Sequence, residues 1–516
     1  MDYIDKIIDK RKNCDRVAIC EISTNREISY KDLYERVYGL CYSLDSCLHI
    51  NRQDKVLVLM NKSIECIISF FSIMKLGAIF IPIDESLPNE RLQYIINNSE
   101  AKYVVSTRKL YEKFESIINA KLLQVLIYEE SSIITNTIGP IVEKCNKIKR
   151  SLKDIAYIIY TSGTTGNPKG VMIRNESFSA FVKSIVQAIP YYDENSIYLS
   201  VFPIHFDASM VDIYPTLSCG GKLVLMKRFL MPNHLLEILS EYEVTMICMP
   251  STIIKLLLSK YSSIREYKLE HLKLIWYGTE SCPAKTIREL MELFPQTAFI
   301  HSYGPTEATC TSHVFYCDRE NIENEDDSFP IGKGLKTIQS YALNQEGNII
   351  KPGEIGELYI SGVQVMERYC NNEEQTNKVL CKSVLNLKEV AYKTGDYVSV
   401  DEQGNYIFRG RKDDMVKCRG KLVYMKEVEQ RLVSYPNVYD AIVVSFQDEM
   451  NITQMKAFII LNEDASIDIK DIRKWLVTKL PTYMIPIEFR IIDIKDIPIN
   501  ANGKIDRNHF KKSKSF

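Results

Sequence analysis

Eleven consecutive residues, Tyr160-Thr161-Ser162-Gly163-Thr164-Thr165-Gly166-Asn167-Pro168-Lys169-Gly170, carry the densest chemistry in the chain. They set four aliphatic hydroxyls, three glycines and a lysine directly behind the apolar run Ile155-Ala156-Tyr157-Ile158-Ile159. Glycine lets a backbone bend tightly and bring its N–H groups up to a ligand. Hydroxyls and a lysine add donors without negative charge, so the loop suits phosphate. A Walker loop ends in Gly-Lys-Ser/Thr. Here Lys169 lies between Pro168 and Gly170, which excludes that motif. The competing reading is a flexible surface turn. The length of the stretch and the buried strand before it favour a phosphate cradle. Thr161, Ser162, Gly163, Thr164, Thr165, Gly166 and Lys169 are its binding residues.

Other segments carry groups that suit a nucleotide and an activated acid. Tyr303-Gly304-Pro305-Thr306-Glu307 offers an aromatic face, a hydroxyl and a carboxylate together. Alone it would be an ordinary Gly-Pro turn. Tyr392-Lys393-Thr394-Gly395-Asp396 and Gly410-Arg411-Lys412-Asp413 set an aspartate and an arginine in turn-rich contexts. Asn502-Gly503-Lys504-Ile505-Asp506 presents a lysine near the basic C-terminal residues, where a solvated surface pair is the plain alternative. In Phe206-Asp207-Ala208-Ser209 a carboxylate sits among apolar neighbours. Asp207 reads either as a seat for a cation or as the N-cap of a helix over 210–214.

Together these segments resemble the motifs of the adenylate-forming enzymes. That superfamily includes acyl-CoA synthetases, luciferases and the amino-acid adenylation domains of nonribosomal peptide synthesis. The likeness runs over nearly the whole chain and implies ATP and Mg²⁺ as cofactors. It implies that Tyr303 stacks on adenine, Thr306 approaches the nucleotide phosphate and Glu307 is the metal residue. A carboxylate beside polyphosphate is repulsive without a cation, so Glu307 and Mg²⁺ imply each other. Asp396 takes the ribose hydroxyls, and Arg411 lies near the ribose and phosphate. Lys504 matches the catalytic lysine, which neutralises the attacking carboxylate and the α-phosphate; such preorganised charge is worth ~10²–10³ in rate per donor. Asp413 matches the hinge about which the small domain rotates. Lys417 matches a residue at the domain interface in the second half-reaction. Pro481-Thr482-Tyr483-Met484-Ile485-Pro486 fits the amino-acid-activating branch.

In that branch the aspartate matched by Asp207 binds the substrate α-ammonium, a group that fatty and aryl acids lack. Matching the other pocket positions gives Ala208, Val211, Cys248, Ile275, Tyr277, Ser302, Cys310 and Thr311, with Lys504 facing the substrate carboxylate. The set is otherwise neutral, and Tyr277 should shorten it, so a small or modestly polar amino acid is expected. Asp212-Ile213-Tyr214-Pro215 and the chain length look more like D-alanine–carrier protein ligase, whereas Tyr277 departs from it. Leu422 and Tyr424 stand where the family has arginine and glutamate, and Met366-Glu367-Arg368-Tyr369 replaces Ala-Arg-Gly-Tyr. Both departures bear on the second half-reaction rather than on ATP. Carrier-protein and condensation motifs do not occur. The expected acceptor is the phosphopantetheine thiol of a separate carrier protein, or less readily coenzyme A. The expectation is an ATP-dependent amino-acid adenylating ligase. Its alternatives are D-alanine activation, an acyl- or aryl-CoA ligase, and an inactive nucleotide-binding partner. Intact Lys504, Glu307 and Asp396 argue against the last.

Positioning these residues requires an α/β scaffold. The spacing predicts a helix over 65–76 capped by Gly77 and a strand over 78–83. From residue 222 short apolar runs alternate with amphipathic helices: strands over 222–226, 244–249, 272–277 and 298–302, helices over 234–242, 250–261 and 283–294. That alternation implies parallel sheets covered by helices, with ligands at the carboxyl ends of strands. Residues 130–150 read as an irregular surface loop. Near residue 410 the texture turns charged and turn-rich. The expected organisation is a large N-terminal region of βα-alternating layered sheets over 1–410 and a small mobile α+β domain over 411–516. Helices over 426–434 and 469–480 and strands over 441–445 and 456–461 build the latter.

The bulk numbers fit this picture. At 516 residues, with 46% hydrophobic and 25% charged, the chain suits several globular cores. A net charge of -1 gives no footprint for nucleic acid or an anionic membrane. The charged start and the absence of a long apolar run predict no signal peptide and no membrane insertion, hence a cytoplasmic protein. Fourteen cysteines without Cys-x-x-Cys spacing and seven scattered histidines predict core thiols and no structural zinc.

Overall fold

A computed structural model describes residues 3–129, 138–161, 167–227, 231–280, 282–318, 328–381, 389–412, 415–418, 421–447, 453–499 and 504–512. Two large sheets and a five-stranded antiparallel sheet organise the chain up to Arg411; the last runs Ile338–Leu343, Ile355–Gly362, Ala391–Val400, Leu380–Cys381, with Tyr406–Arg411 also paired to Ala391–Val400. A seven-stranded sheet runs in the order Arg368–Tyr369, Lys169–Arg174, Ile155–Thr161, Ile79–Pro82, Lys55–Leu59, Tyr103–Ser106, Gln124–Ile127. A nine-stranded sheet runs Lys333–Gly334, His313–Cys317, Ala298–Tyr303, Leu274–Gly278, Met246–Pro250, Ile197–Ser200, Lys222–Leu225, Val17–Glu21, Arg26–Ser29. Its central pairings are parallel and its outer ones antiparallel. Hydrophobic runs such as Ile247–Met249 and Leu274–Tyr277 are therefore buried on both faces, as parallel strands require.

Helices fill the layer between the sheets. Ile64–Lys75 touches strands of both, and all twelve of its residues are buried. A helix surrounded by protein must be apolar all round. Its one long cation, Lys75, is fully buried and pairs with Asp5 at 3.0 Å and Asp9 at 2.7 Å. Ser63 caps the start by accepting the Cys66 N–H. Gly77 follows the end with φ +70°, the left-handed conformation expected there.

The predicted elements recur within one to three residues for most strands; the helix expected over 250–261 is shorter, Ser251–Leu257. One expectation fails. Residues 130–150 are not wholly irregular: Ile138–Lys147 is a helix that buries Ile141 and Cys145. Gly139 and Pro140 hid it, yet both lie in its first turn, where a missing N–H costs nothing.

The chain after Arg411 forms its own core. The helices Met425–Val433 and Ile469–Lys479 pack Val428, Leu432, Ile472 and Leu476 on the strands Val438–Gln447 and Thr453–Leu461. The strand Glu488–Ile491 adds in parallel. This domain docks on the N-terminal core through the helix Ser251–Leu257 and the segment after it. Lys255 and Asp440 form a buried ion pair, and Tyr439 donates to the Lys255 carbonyl at 2.7 Å. Lys285 donates to the carbonyls of Val433 and Val438, and Tyr261 to Asp493 at 2.8 Å. The expected hinge, Asp413, lies outside the described residues. Lys417, Leu422 and Tyr424 belong to the hairpin Met415–Cys418 with Lys421–Tyr424, but their side chains are not described. Among the described residues, no helix is long and apolar enough to cross a membrane, and no cluster of three metal-ligating side chains occurs.

Glu429 ties the last helix, Arg507–Lys512, to this domain. Its side chain is 2% exposed and accepts from Arg507 at 2.6 Å and from the Val443 N–H at 2.8 Å. Burial alone would raise the carboxyl, but Arg507, Lys426 and that N–H hold it at about 2. A depressed carboxyl stabilises above its unfolded pKa, about 4.3, and the contribution is lost as pH falls toward the folded value. Breaking a buried pair costs about 3–5 kcal/mol. Glu429→Ala should destabilise the C-terminal domain by that amount at pH 7 in urea unfolding. The difference from wild type should shrink steadily between about pH 4 and pH 2.

Candidate functional site

The chemistry-bearing segments converge at the carboxyl ends of the central strands. Ile155–Thr161 and Lys169–Arg174 pair antiparallel with Thr161 opposite Lys169, so the phosphate loop is their connection. Ser162, Gly163, Thr164, Thr165 and Gly166 lie outside the described residues. Gly170 faces Tyr160, where a Cβ would come within 2.8 Å of the phenol ring; only glycine fits. The Lys169 ammonium lies 5.3 Å from the Tyr369 ring centroid.

Tyr303 ends its strand with the hydroxyl donating to Asp396 Oδ2. Arg411 reaches Asp396 Oδ1 at 3.4 Å. Asp396 is 2% exposed and lies at a register shift within the strand Ala391–Val400, where the Thr394 hydroxyl accepts the Asp396 N–H at 2.9 Å. Burial would lower the Arg411 guanidinium, but Asp396 and the phenols of Tyr303 and Tyr392 keep it charged. Tyr303, Asp396 and Arg411 are thus one contiguous unit.

The turn after Tyr303 is tightly folded. A Cβ on Gly304 would lie 1.9 Å from the Cys310 carbonyl, and both Thr309 and Cys310 adopt left-handed backbone at φ +57° and +68°. This folds Thr306 and Glu307 back over Asp207. The Thr306 hydroxyl stands beside Asp207 and acts to lower its carboxyl. Glu307 accepts from the Tyr369 hydroxyl at 2.6 Å. Tyr369 therefore links Glu307 to Lys169, a role the sequence did not announce. The signal lay in the pairing of Arg368–Tyr369 with the strand leaving the phosphate loop.

The N-cap alternative for Asp207 fails. The helix is Ser209–Cys219, and its N-cap is Ala208, without a side-chain cap bond. Asp207 contributes its carbonyl to Met210, while its carboxylate takes Thr306 and the Ala208 N–H. Burial holds the carboxyl above the usual aspartate range, opposed by Thr306 and by the charge of Lys504. Lys504 lies 5.0 Å from the Phe206 ring centroid. Burial lowers its ammonium, Glu280, Asp207 and Asp396 draw it back up, and Arg411 pushes it down.

The pocket residues divide. Cys248 pairs with Trp276, and Trp276 with Ile300, so Cys248, Ile300 and Ser302 share one sheet face. Ile275 and Tyr277 lie on the other. Tyr277 stacks on His301, with centroids 4.7 Å apart and planes 4° apart, and its hydroxyl meets Cys317 Sγ at 3.4 Å. Tyr277 therefore does not shorten the space around Asp207, Cys248 and Cys310. The expectation of a neutral set also changes. Asp212, fully buried on the same helix as Val211, influences the thiols of both Cys248 and Cys310. Ser200 donates to Asp212 at 2.9 Å, and Lys62 donates to the carbonyls of Ser200 and Phe202. Burial raises Asp212 to about 7 and lowers Lys62 to about 8. Val211 is fixed as well: Pro215 supplies no N–H to its carbonyl, and the Tyr192 hydroxyl replaces it at 3.2 Å. Ala208 and Thr311 are buried beside these residues.

A single carboxylate, Glu307, fits a cation that also binds phosphate oxygens and water, the manner in which Mg²⁺ is usually held. Tyr369→Phe keeps the ring but frees one Glu307 oxygen. A hydrogen bond to a charged group is worth about 1.5–3 kcal/mol. The half-saturating Mg·ATP concentration should rise about tenfold or more, measured at fixed acid concentration, while the melting temperature stays near wild type.

Comparison with known proteins agrees with this arrangement. The AMP-binding enzyme family matches residues 8–370, and the AMP-binding enzyme C-terminal domain matches residues 427–504. Bacitracin synthase 3 of Bacillus licheniformis is 29% identical over 495 residues, 96% of this chain but 7% of that protein. Zwittermicin A synthase ZmaJ of Bacillus cereus is 29% identical over 501 residues, 96% of this chain and 91% of that protein. ATP-bound MatB from Rhodopseudomonas palustris superposes with a TM-score of 0.84 at 21% identity, covering 99% of both chains. A four-domain nonribosomal peptide synthetase bound to AMP and glycine superposes with a TM-score of 0.82 at 25% identity, over 100% of this chain and 36% of that one. With matching sequence in both regions and the same architecture end to end, the chain belongs to the AMP-binding enzyme family and has the adenylate-forming fold.

Proposed function

We propose that the protein activates an amino acid as aminoacyl-AMP, releasing pyrophosphate, and passes it to the phosphopantetheine thiol of a separate carrier protein. The observation that carries this reading is Asp207. It is a buried carboxylate, not a helix cap, and burial disfavours its charge. An incoming α-ammonium supplies the cation that makes such burial favourable. A fatty or aryl acid brings none.

In this reading the substrate lies between Asp207 and Lys504, amine to one and carboxylate to the other. Lys504 then lowers the repulsion between that carboxylate and the α-phosphate as the new bond forms. Tyr303 and Asp396 hold adenine and ribose, with Arg411 beside them. The loop 161–170 and Lys169 hold the departing phosphates. Glu307 would hold Mg²⁺, which when bound would supply neutralising charge on the phosphates. The C-terminal domain then turns about Asp413 and brings Lys417 to the site for attack by the carrier thiol. The likeness to a nonribosomal peptide synthetase bound to AMP and glycine supports the amino-acid reading. D-Alanine remains the specific alternative, favoured by Asp212-Ile213-Tyr214-Pro215.

Pyrophosphate exchange across both enantiomers of the amino acids, with fatty and aryl acids as controls, tests the reading. Exchange should require an amino acid, and Asp207→Ala should lower kcat/KM about 10²-fold. Exchange with simple acids alone would overturn it. Lys504→Ala should suppress adenylate formation while leaving thioester formation from supplied adenylate largely intact.

The pH profile of exchange follows from the same two groups. Asp207 is raised, so its carboxylate is lost on acidification above the ordinary value of about 3.9. Lys504 is lowered, so its ammonium is lost below the ordinary value of about 10.4. The bell-shaped profile should be narrowed on both sides, and limbs at the ordinary values would contradict these roles.

A further inference from the structure

Glu280 lies where the core meets the lysine-bearing segment. The strand Leu274–Gly278 ends, and Thr279 follows with φ +68°. A β-branched residue rarely takes that conformation, and it persists only where the surroundings impose it. The turn sends Glu280 back toward the helix Ser251–Leu257. Its Oε2 accepts the Thr252 hydroxyl at 2.8 Å, and its carbonyl accepts the Ser251 hydroxyl at 2.9 Å. Its Oε1 accepts the backbone N–H of Ile505 at 3.1 Å.

Ile505 directly follows Lys504. It bridges Ile499, and the Asp506 N–H bonds the Pro498 carbonyl at 2.8 Å. Ile505 and Asp506 are thereby tied to Pro498 and Ile499, and Glu280 grips the chain one residue from Lys504. Among the charges around Lys504, Glu280 exerts the largest favourable influence, ahead of Asp207 and Asp396 and against Arg411. The body of the C-terminal domain is held elsewhere, by Lys255 with Asp440 and by Lys285 and Tyr261.

We propose that Glu280 is the positioning residue for Lys504, the core-side catch that seats the lysine loop for adenylate formation and releases it for thioester formation. This rests on the adenylation reading above. One carboxylate serves where a neutral side chain would not. Two separate oxygens accept, one from the core and one from the moving loop, while the charge balances the lysine. A glutamine keeps an acceptor for Ile505, and its amide can donate to the Thr252 hydroxyl, so it removes the charge alone. Alanine removes both.

The test uses the full chain with Glu280→Gln and Glu280→Ala. Hydrogen exchange of the peptide containing Ile505 reads the catch without any substrate. Protection should be present in wild type, largely kept in Glu280→Gln and lost in Glu280→Ala, with the Glu429 region unchanged. In pyrophosphate exchange, Glu280→Ala should lower kcat about 10- to 100-fold, the range for a lost hydrogen bond to a charged group, with KM values within about threefold. Glu280→Gln should fall between. Thioester formation from supplied adenylate should stay within about twofold of wild type for both, because Lys504 is out of play in that step. Equal loss in both half-reactions, unchanged pyrophosphate exchange, or unchanged Ile505 protection in Glu280→Ala would overturn the proposal. Should wild type exchange pyrophosphate with no acid, the adenylation reading fails, and the hydrogen-exchange arm still judges the catch.

Discussion

A lysine ammonium partly buried where the two domains meet shapes much of this structure. Removing such a charge from water is costly unless acids stand close and hydrogen bonds hold the geometry. Lys504 is surrounded by Glu280, Asp207 and Asp396, each anchored by a different element of the N-terminal core. In the docked domain burial lowers the ammonium, and these acids offset part of that cost. Asp207 is linked to the same balance. Its carboxyl is raised by burial and eased by Lys504, and on the reading proposed above an arriving ammonium would ease it further.

The surrounding fold exists to keep these groups in register. The parallel strands of the nine-stranded sheet end together, and their last residues bear the site: Cys248 near one end, Gly278 and then Glu280 at the next, Ser302 and Tyr303 at the third. The antiparallel turn back through His313–Cys317 folds Thr306 and Glu307 over Asp207. Left-handed backbone at Thr279, Thr309 and Cys310 occurs at the points where side chains are aimed. Strain of this kind clusters where geometry is fixed by function.

Much of this was legible in the sequence, and the failures have physical causes. Alternating strand and helix patterns gave the layers because burial on both faces of a parallel sheet leaves long apolar runs. Tyr303 and Asp396 could be singled out because each stands beside a glycine and a threonine in a short motif, and Arg411 because it follows Gly410; the structure brings the three side chains together. Tyr277 was misread. Sequence position says that it lies near the pocket, but only strand register says which face it takes, and register depends on partners elsewhere in the chain. Asp212 was passed over because its meaning comes from Ser200 and Lys62, a dozen and 150 residues away. Glu280 and Tyr369 were missed for the same reason: each acts through contacts with a distant segment, Ile505 and Glu307 respectively. The helix Ile138–Lys147 was hidden by residues that break helices in the middle but not at the start.

The hydroxyl of Tyr192 on the Val211 carbonyl has a further meaning for how such a pocket changes over time. Pro215 leaves that carbonyl without its helical partner, and a side chain from another segment supplies one. The backbone at Val211 is thereby clamped whatever ligand is present. A new side chain at this position can alter the volume and polarity offered to a substrate without shifting the wall that carries it. The frame is conserved by geometry and its contents are exchangeable. On the adenylation reading proposed above, that separation would let the scaffold be recoded for a different acid by few substitutions, provided Tyr192 and Pro215 are kept or replaced as a pair.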